Sequence, residues 1–183
     1  SGNCPSGLRL SIIDNGIGYH GAQALAEALT SGNCPSELCL DISSNNIGDE
    51  GAQVLAKALA SGNCSSGLRL RLENNSITYK GAEALAEALI SSNCLTELKL
   101  NENNIYDQGA QVLARALMSG NCLPGFSLDL YETNLSDKGA RELAEALKSG
   151  NCPSRLRLYL GNNHIGYFGA LALAEALKSG NCP

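Results

Sequence analysis

The sequence predicts an α/β fold: a horseshoe-shaped solenoid of six repeats, with a parallel β-sheet on the concave face and α-helices on the convex face. Three observations predict it. Cysteines recur at Cys4, Cys34, Cys64, Cys94, Cys122, Cys152 and Cys182, in steps of 30, 30, 30, 28, 30 and 30 residues, and a fixed period in this range marks a repeat architecture. Each period holds a short run of alternating apolar residues, which has the two-residue rhythm of a strand. Each then holds Gly-Ala-x-x-Leu-Ala-x-Ala-Leu, whose apolar positions fall on one face of a helix.

The 183 residues form a single domain of units 1–30, 31–60, 61–90, 91–118, 119–148 and 149–178, and SGNCP at 179–183 starts a seventh. The second unit shows the elements in order. In LCLDI, Leu38, Leu40 and Ile42 face one side of a strand, and Cys39 and Asp41 the other. A turn containing Asn45 and Ile47 follows. In GAQVLAKALA, Ala52, Leu55, Ala56 and Leu59 stand at i, i+3, i+4 and i+7, one stripe of a helix. Asp49, Asp107 and Asp137 stand at helix starts, where a carboxylate accepts a backbone N–H as an N-cap. Ser-Gly after the helix supplies a residue that tolerates the left-handed conformation at C′.

One such unit buries neither its strand face nor its helix face, so stability comes from stacking neighbours. Parallel strands stack about 5 Å apart, whereas helices need about 8–10 Å, so the stack bends with its strands lining the hollow. The fourth unit is two residues short between Cys94 and Ile105. A loss of two keeps every side chain on its own face, so Leu98 and Leu100 are expected to stay buried, and Glu97 and Lys99 to stay in the hollow.

LTELKLNENNI in the fourth unit fits L-x-x-L-x-L-x-x-N-x-I at every fixed position, and the chain resembles the leucine-rich repeats of the ribonuclease-inhibitor-like class. The Gly-Ala-x-x-Leu-Ala-x-Ala-Leu segment is similar to that class and to the repeat domains of cytosolic innate-immune receptors. The five other units depart from it by a residue pair that lengthens the strand. The resemblance implies a module that binds other macromolecules. The SGNC-P-S-x-L linkers resemble repeats in effectors that intracellular bacteria deliver into host cells, which implies a bacterial effector origin. In the family, the amide at the position of Asn15, Asn45, Asn75, Asn103, Thr133 and Asn163 bridges backbone groups of adjacent turns. Thr133 lacks an amide that both donates and accepts, so weaker order is expected in the fifth unit.

Formal net charge is −5 and pI about 5.0, which argues against nucleic acid as partner. No apolar run approaches the roughly 20 residues of a membrane span. Neither terminal unit has the polar face of a cap, so the expectation is a slice of a longer protein, or ends that meet another molecule. The cysteine column is expected to be structural: equivalent thiols of successive units are parallel, seven cannot pair evenly, and no C-x₂-C marks zinc. Small thiols filling helix-to-strand corners explain it. Unpaired thiols favour a reducing compartment, so a cytoplasmic location is expected, the host cytosol for a delivered effector. Cys39 is expected to point into the hollow.

No catalytic constellation is legible, so no enzyme, cofactor or metal is expected. The two histidines, His20 and His164, stand in the first and sixth units with four units between them, in turn or helix-start positions, and no P-loop, G-x-S-x-G or H-E-x-x-H occurs. Gly21, Gly51, Gly81, Gly109, Gly139 and Gly169 form a column that marks close packing at helix starts.

Functional information lies in the irregular positions that face the hollow. The first column is Arg9, Cys39, Arg69, Glu97, Ser127, Arg157. The second is Ser11, Asp41, Arg71, Lys99, Asp129, Tyr159, and the third Ile13, Ser43, Glu73, Asn101, Tyr131, Gly161. This mixed field suits a protein or peptide better than a polyanion. The candidate partner-binding residues are Arg69, Arg71, Lys99, Tyr131, Arg157 and Tyr159, with Tyr167 and Phe168 along the rim, because aromatics and arginines dominate interface hot spots. The competing reading is a structural or self-assembly module that associates through its terminal repeats.

Overall fold

The structure, a computed structural model, describes residues 4–183; Ser1, Gly2 and Asn3, assigned above to the first unit, lie outside the described residues. Six strands alternate with six helices: β1 (Arg9–Ser11), α1 (Gly18–Thr30), β2 (Cys39–Asp41), α2 (Gly48–Ala60), β3 (Leu68–Arg71), α3 (Tyr79–Ser91), β4 (Leu95–Lys99), α4 (Tyr106–Leu117), β5 (Ser127–Asp129), α5 (Asp137–Lys148), β6 (Arg157–Tyr159) and α6 (Tyr167–Lys178). The strands form one parallel sheet in chain order, and each helix packs on the helices of adjacent units.

The register is the one the repeats dictate. Arg9 pairs with Cys39, Cys39 with Arg69, Arg69 with Glu97, Glu97 with Ser127 and Ser127 with Arg157. The shortened fourth unit keeps this register because a shift between Leu68 and Arg69 absorbs the missing pair. Leu98 and Leu100 are buried, while Glu97 and Lys99 stay on the hollow face. The core is a continuous layer of Leu, Ile and Ala between sheet and helices, with Phe126 as its largest side chain. Ala52, Leu55, Ala56 and Leu59 all belong to it.

The asparagine column works as a ladder. Asn45 Oδ1 accepts the N–H groups of Asn15 and Ile17 one unit back, at 3.0 and 3.3 Å, while Asn45 Nδ2 donates to the Ile12 carbonyl at 2.8 Å. Asn75 and Asn103 repeat this geometry toward their preceding units. Thr133 does not. Its hydroxyl donates to the Leu130 carbonyl in its own unit at 2.7 Å. The N–H groups of Asn103 and Ile105 therefore lack the bridging amide that every other junction supplies.

The aspartates at helix starts do cap, but they cap the following unit's helix and not their own. Asp49 Oδ1 accepts the N–H groups of Thr78 and Gly81 at 2.7 and 3.0 Å, and Oδ2 accepts the Thr78 hydroxyl at 2.6 Å. Asp107 does the same to Ser136 and Gly139. Asp137 takes the N–H groups of Gly166 and Gly169. Asp49 and Asp107 are the second residues of their own helices and Asp137 the first, and stacking offsets each onto the open N–H groups of the next helix. The same carboxylates press on Gly81, Gly139 and Gly169 of the glycine column, whereas Gly21, Gly51 and Gly109 are pressed by Ile17, Ile47 and Ile105 of their own units. A Cβ on Gly139 would stand 2.6 Å from Asp107 Oδ1, and one on Gly169 would stand 2.7 Å from Asp137 Oδ1.

Candidate functional site

The hollow face is built from the strands and the turn that follows each of them. Because strand side chains alternate, β3 turns Leu68 and Leu70 into the core and Arg69 and Arg71 outward. Parallel stacking then lays equivalent residues of successive units side by side.

Its centre is a closed electrostatic lattice. Arg71 Nε donates to Glu97 Oε1 at 2.8 Å, and Arg71 Nη1 lies 3.7 Å from Asp41 Oδ2. Lys99 Nζ lies between Glu73 and Asp129, at 3.6 and 4.0 Å. The Ser43 hydroxyl sits between Asp41 Oδ1 and Glu73 Oε2, at 2.7 and 2.6 Å, with one proton to donate. Glu97 holds the Arg71 guanidinium above its ordinary pKa through that hydrogen bond; partial burial opposes the shift, and the charges of Glu97, Cys39 and Asp41 add to it. Four carboxylates against two cations leave the lattice with two surplus negative charges.

Outside the lattice the picture changes. Arg9, Arg69 and Arg157 have no ion-pair partner among the described residues. Tyr131 and Tyr159 are 42% and 50% exposed. The Tyr131 ring reaches across to the sixth unit, where a Cβ on Gly161 would stand 2.9 Å from its Cδ2. A side chain at 161 would therefore collide with this ring. Asp129 Oδ1 accepts the Tyr131 N–H at 3.0 Å and holds the turn that presents it.

The sequence-predicted residues thus divide three ways. Arg71 and Lys99 are engaged within the sheet. Arg69, Tyr131, Arg157 and Tyr159 face the hollow without ion-pair partners. Tyr167 and Phe168 are 73% and 63% exposed and meet edge to face at 5.4 Å. They belong to the helix layer, where Phe168 shares a groove with Arg141, Leu171, Ala172 and Glu175. Cys39 is on the hollow side of its strand yet only 4% exposed, so its neighbours close over it.

Sequence reasoning passed over one feature. Tyr79 and Tyr106, at the starts of α3 and α4, flank a cleft of about 560 Å³ with Asp49, Thr78, Lys80 and Gln108. Aromatic residues at two consecutive helix starts were the available signal. Among the described residues, no three His, Cys, Asp or Glu side chains converge as a metal site requires. No helix is long and apolar enough to cross a membrane.

The family described as Leucine Rich repeat matches the chain at residues 38–56, 68–86 and 91–114. No curated protein matches it. Among solved structures, one described as "Leiomodin-1 Actin-Binding Site 2 (ABS2)" is similar in fold, with a TM-score of 0.52 and 18% identity. The match covers 93% of this chain and 79% of that one.

Proposed function

The chain is a leucine-rich repeat solenoid, and from that premise we propose that it is a non-catalytic interaction module that binds a protein or peptide through its concave face. One observation carries the reading. The hollow offers Tyr131, Tyr159 and Arg157 as solvent-facing groups outside the ion-pair lattice, while Arg71 and Lys99 are engaged by carboxylates within it. Exposed tyrosine and arginine are what interfaces use as anchors. The lattice alongside supplies a rigid, hydrophilic border. The similar leiomodin-1 structure is described as an actin-binding site, one instance of this scaffold serving a protein ligand.

The partner in this reading is a protein segment that places an apolar or aromatic side chain against Tyr131 and Tyr159 and a carboxylate against Arg157. Nucleic acid is disfavoured by the net charge of −5. The ribonuclease-inhibitor-like subclass, a role as a delivered bacterial effector and a reducing, cytosolic setting complete the proposal, supported by the helix-bearing repeats and eight unpaired cysteines. The test is affinity capture from a host-cell lysate with the wild-type chain and with a Tyr131→Ala/Tyr159→Ala double variant, followed by titration of the captured protein. Equal capture and equal affinity for the two chains would remove the concave site.

A second reading, self-association through the terminal units, has its own observation. Leu10 is 39% exposed, whereas the equivalent Leu40, Leu70, Leu98 and Leu128 are at most 1% exposed. Light scattering across a concentration series tests it: a mass that grows with concentration supports end-to-end assembly, and a constant mass rejects it.

A further inference from the structure

The outer faces of the first and sixth units leave complementary groups open. On the first, Asn15 Oδ1 accepts no hydrogen bond among the described residues, whereas Asn45 Oδ1 takes two N–H groups from the unit before it. On the sixth, the N–H groups of Asn163 and Ile165 have no acceptor among the described residues, although the equivalent pair on Thr133 and Leu135 goes to Asn163 Oδ1 at 3.0 Å. Apolar side chains match in the same way. Leu8, Leu10, Leu25 and Leu29 line a cavity of about 210 Å³ with Leu38 and Leu40 of the second unit. At the other end Leu177 is 72% exposed, against at most 3% for the equivalent Leu29, Leu59, Leu89 and Leu117.

Charge matches on the helix face. Lys148 lies 3.8 Å from Glu175, its neighbour across the junction of the fifth and sixth units. A further unit stacked on the sixth in this register brings its own equivalent of Glu175 to Lys178. In the first unit that equivalent is Glu27. Glu27 and Lys178 are both exposed and have no ion-pair partner among the described residues.

Backbone conformation matches as well, because the junctions are of two kinds. Two residues before the column glycine stands Asp49, Asp107 or Asp137 in three units and Tyr19, Tyr79 or Tyr167 in the others. After an Asp, the next helix start is extended, at Thr78, Ser136 and Gly166, with φ near −100°, and turns its N–H back to that carboxylate. After a Tyr, the next start is left-handed, at Gly48 and Tyr106, and turns its N–H forward to a carbonyl, that of Asn75 or Thr133. Gly18 already has this second form, with φ +56° and its N–H on the Asn45 carbonyl at 2.9 Å. The first unit can therefore follow Tyr167 without rearranging, whereas a preceding Asp would have to reverse it.

We propose, resting on the self-association reading and giving it polarity and register, that a second copy of this chain stacks its first unit on the sixth unit of the first copy. Leu158 then pairs with Leu10 of the incoming copy, as Leu128 pairs with Leu158, and sheet, asparagine ladder and core run on between copies. Such a contact joins two different surfaces, so it leaves one of each kind free and adds copies in a row. Two features oppose it. Arg157 meets Arg9 of the incoming copy, and like charges directly opposite are unfavourable. Residues 179–183 and 1–5 are both SGNCP and claim the same place. Asn181 Nδ2 on the Lys148 carbonyl, at 3.0 Å, and Cys182 Sγ on the Ala176 carbonyl, at 3.1 Å, hold the 179–183 segment there, so the incoming 1–5 is the one displaced.

The test is sedimentation equilibrium of the wild-type chain and of Leu10→Asp and Leu177→Asp, each checked for helix content by circular dichroism. The first variant blocks one end and the second the other. The wild-type mass is expected to grow with concentration and each variant to stay a single chain. An equimolar mixture of the two is expected to form pairs and nothing larger, because one good end of each kind remains. Constant wild-type mass rejects self-association altogether. Growth that persists in either variant, or a mixture without pairs, leaves self-association standing and rejects this polarity. Arg9→Glu, at an exposed position, reads the register without disturbing the core. Placed opposite Arg157, it is expected to tighten wild-type association at least about threefold, and weaker association rejects the register.

Discussion

The carboxylate of Asp107 holds Ser136, a residue 29 positions later, with both of its oxygens: Oδ1 accepts the backbone N–H at 2.8 Å and Oδ2 the hydroxyl at 2.6 Å. The Gly139 N–H adds a third bond at 2.9 Å. A helix start in one unit is thereby sealed by the previous unit, which turns a local capping interaction into a link between repeats. Asp107→Ala is expected to cost about 1–2 kcal/mol, the upper range for a lost cap, read as a lower denaturation midpoint with unchanged far-ultraviolet circular dichroism.

The same carboxylate predicts a pH dependence. Burial raises the Asp107 pKa, but the Ser136 hydroxyl, the Ser136 and Gly139 N–H groups and the Lys138 charge outweigh it and hold the value below 3.8. A carboxyl depressed in the folded state stabilises fully above its unfolded pKa, and loses that contribution as pH falls through the lower folded value. Stability of the wild-type chain is therefore expected to drop below about pH 4, and Asp107→Asn to flatten that part of the profile. An unchanged profile in the variant would assign the acid sensitivity elsewhere.

Gly139 is the other half of this contact. Gly139→Ala would place a Cβ 2.6 Å from Asp107 Oδ1 and 3.3 Å from the Ala110 Cβ. Overpacking of this kind costs about 1–3 kcal/mol, even though alanine is the better helix former. Combined with Asp107→Ala, much of that cost is expected to disappear, because the clashing oxygen is gone; strictly additive midpoints would contradict the geometry.

Thr133→Asn is expected to stabilise. The amide would reach back to the Asn103 and Ile105 N–H groups, as Asn103 Oδ1 reaches the N–H groups of Asn75 and Ile77 at 2.9 Å. At about 1 kcal/mol per net hydrogen bond, the gain is about 1–2 kcal/mol. Slower amide exchange at the junction of units four and five, in the variant against wild type, is the local readout.

Stability and binding are expected to separate on the hollow face. Arg71→Ala opens a partly exposed ion pair and costs at most about 1 kcal/mol of stability, leaving partner affinity nearly unchanged. The double variant Tyr131→Ala/Tyr159→Ala removes two exposed rings, so stability barely changes, while affinity falls by about 2 kcal/mol or more, roughly thirtyfold in Kd. The reverse outcome would move the contact from the tyrosines to the lattice.

Period and alternation in the amino-acid sequence were enough to determine the solenoid, the columns and the faces. Leu40 is in the core and Asp41 in the hollow because neighbours along a strand point to opposite sides. Gly-Ala-x-x-Leu-Ala-x-Ala-Leu is a buried helical stripe because 3.6 residues make a turn. What only the tertiary structure decided is where each side chain leans once units stand side by side. Asp107 reaches the next helix, Arg71 is divided between Glu97 and Asp41, and the Tyr131 ring lies against Gly161. Partners some 26–30 residues apart in the chain are brought within a few ångströms by stacking. Each side chain then has neighbours on both flanks, and the contest between them is settled by distance and desolvation, quantities that a linear pattern does not contain.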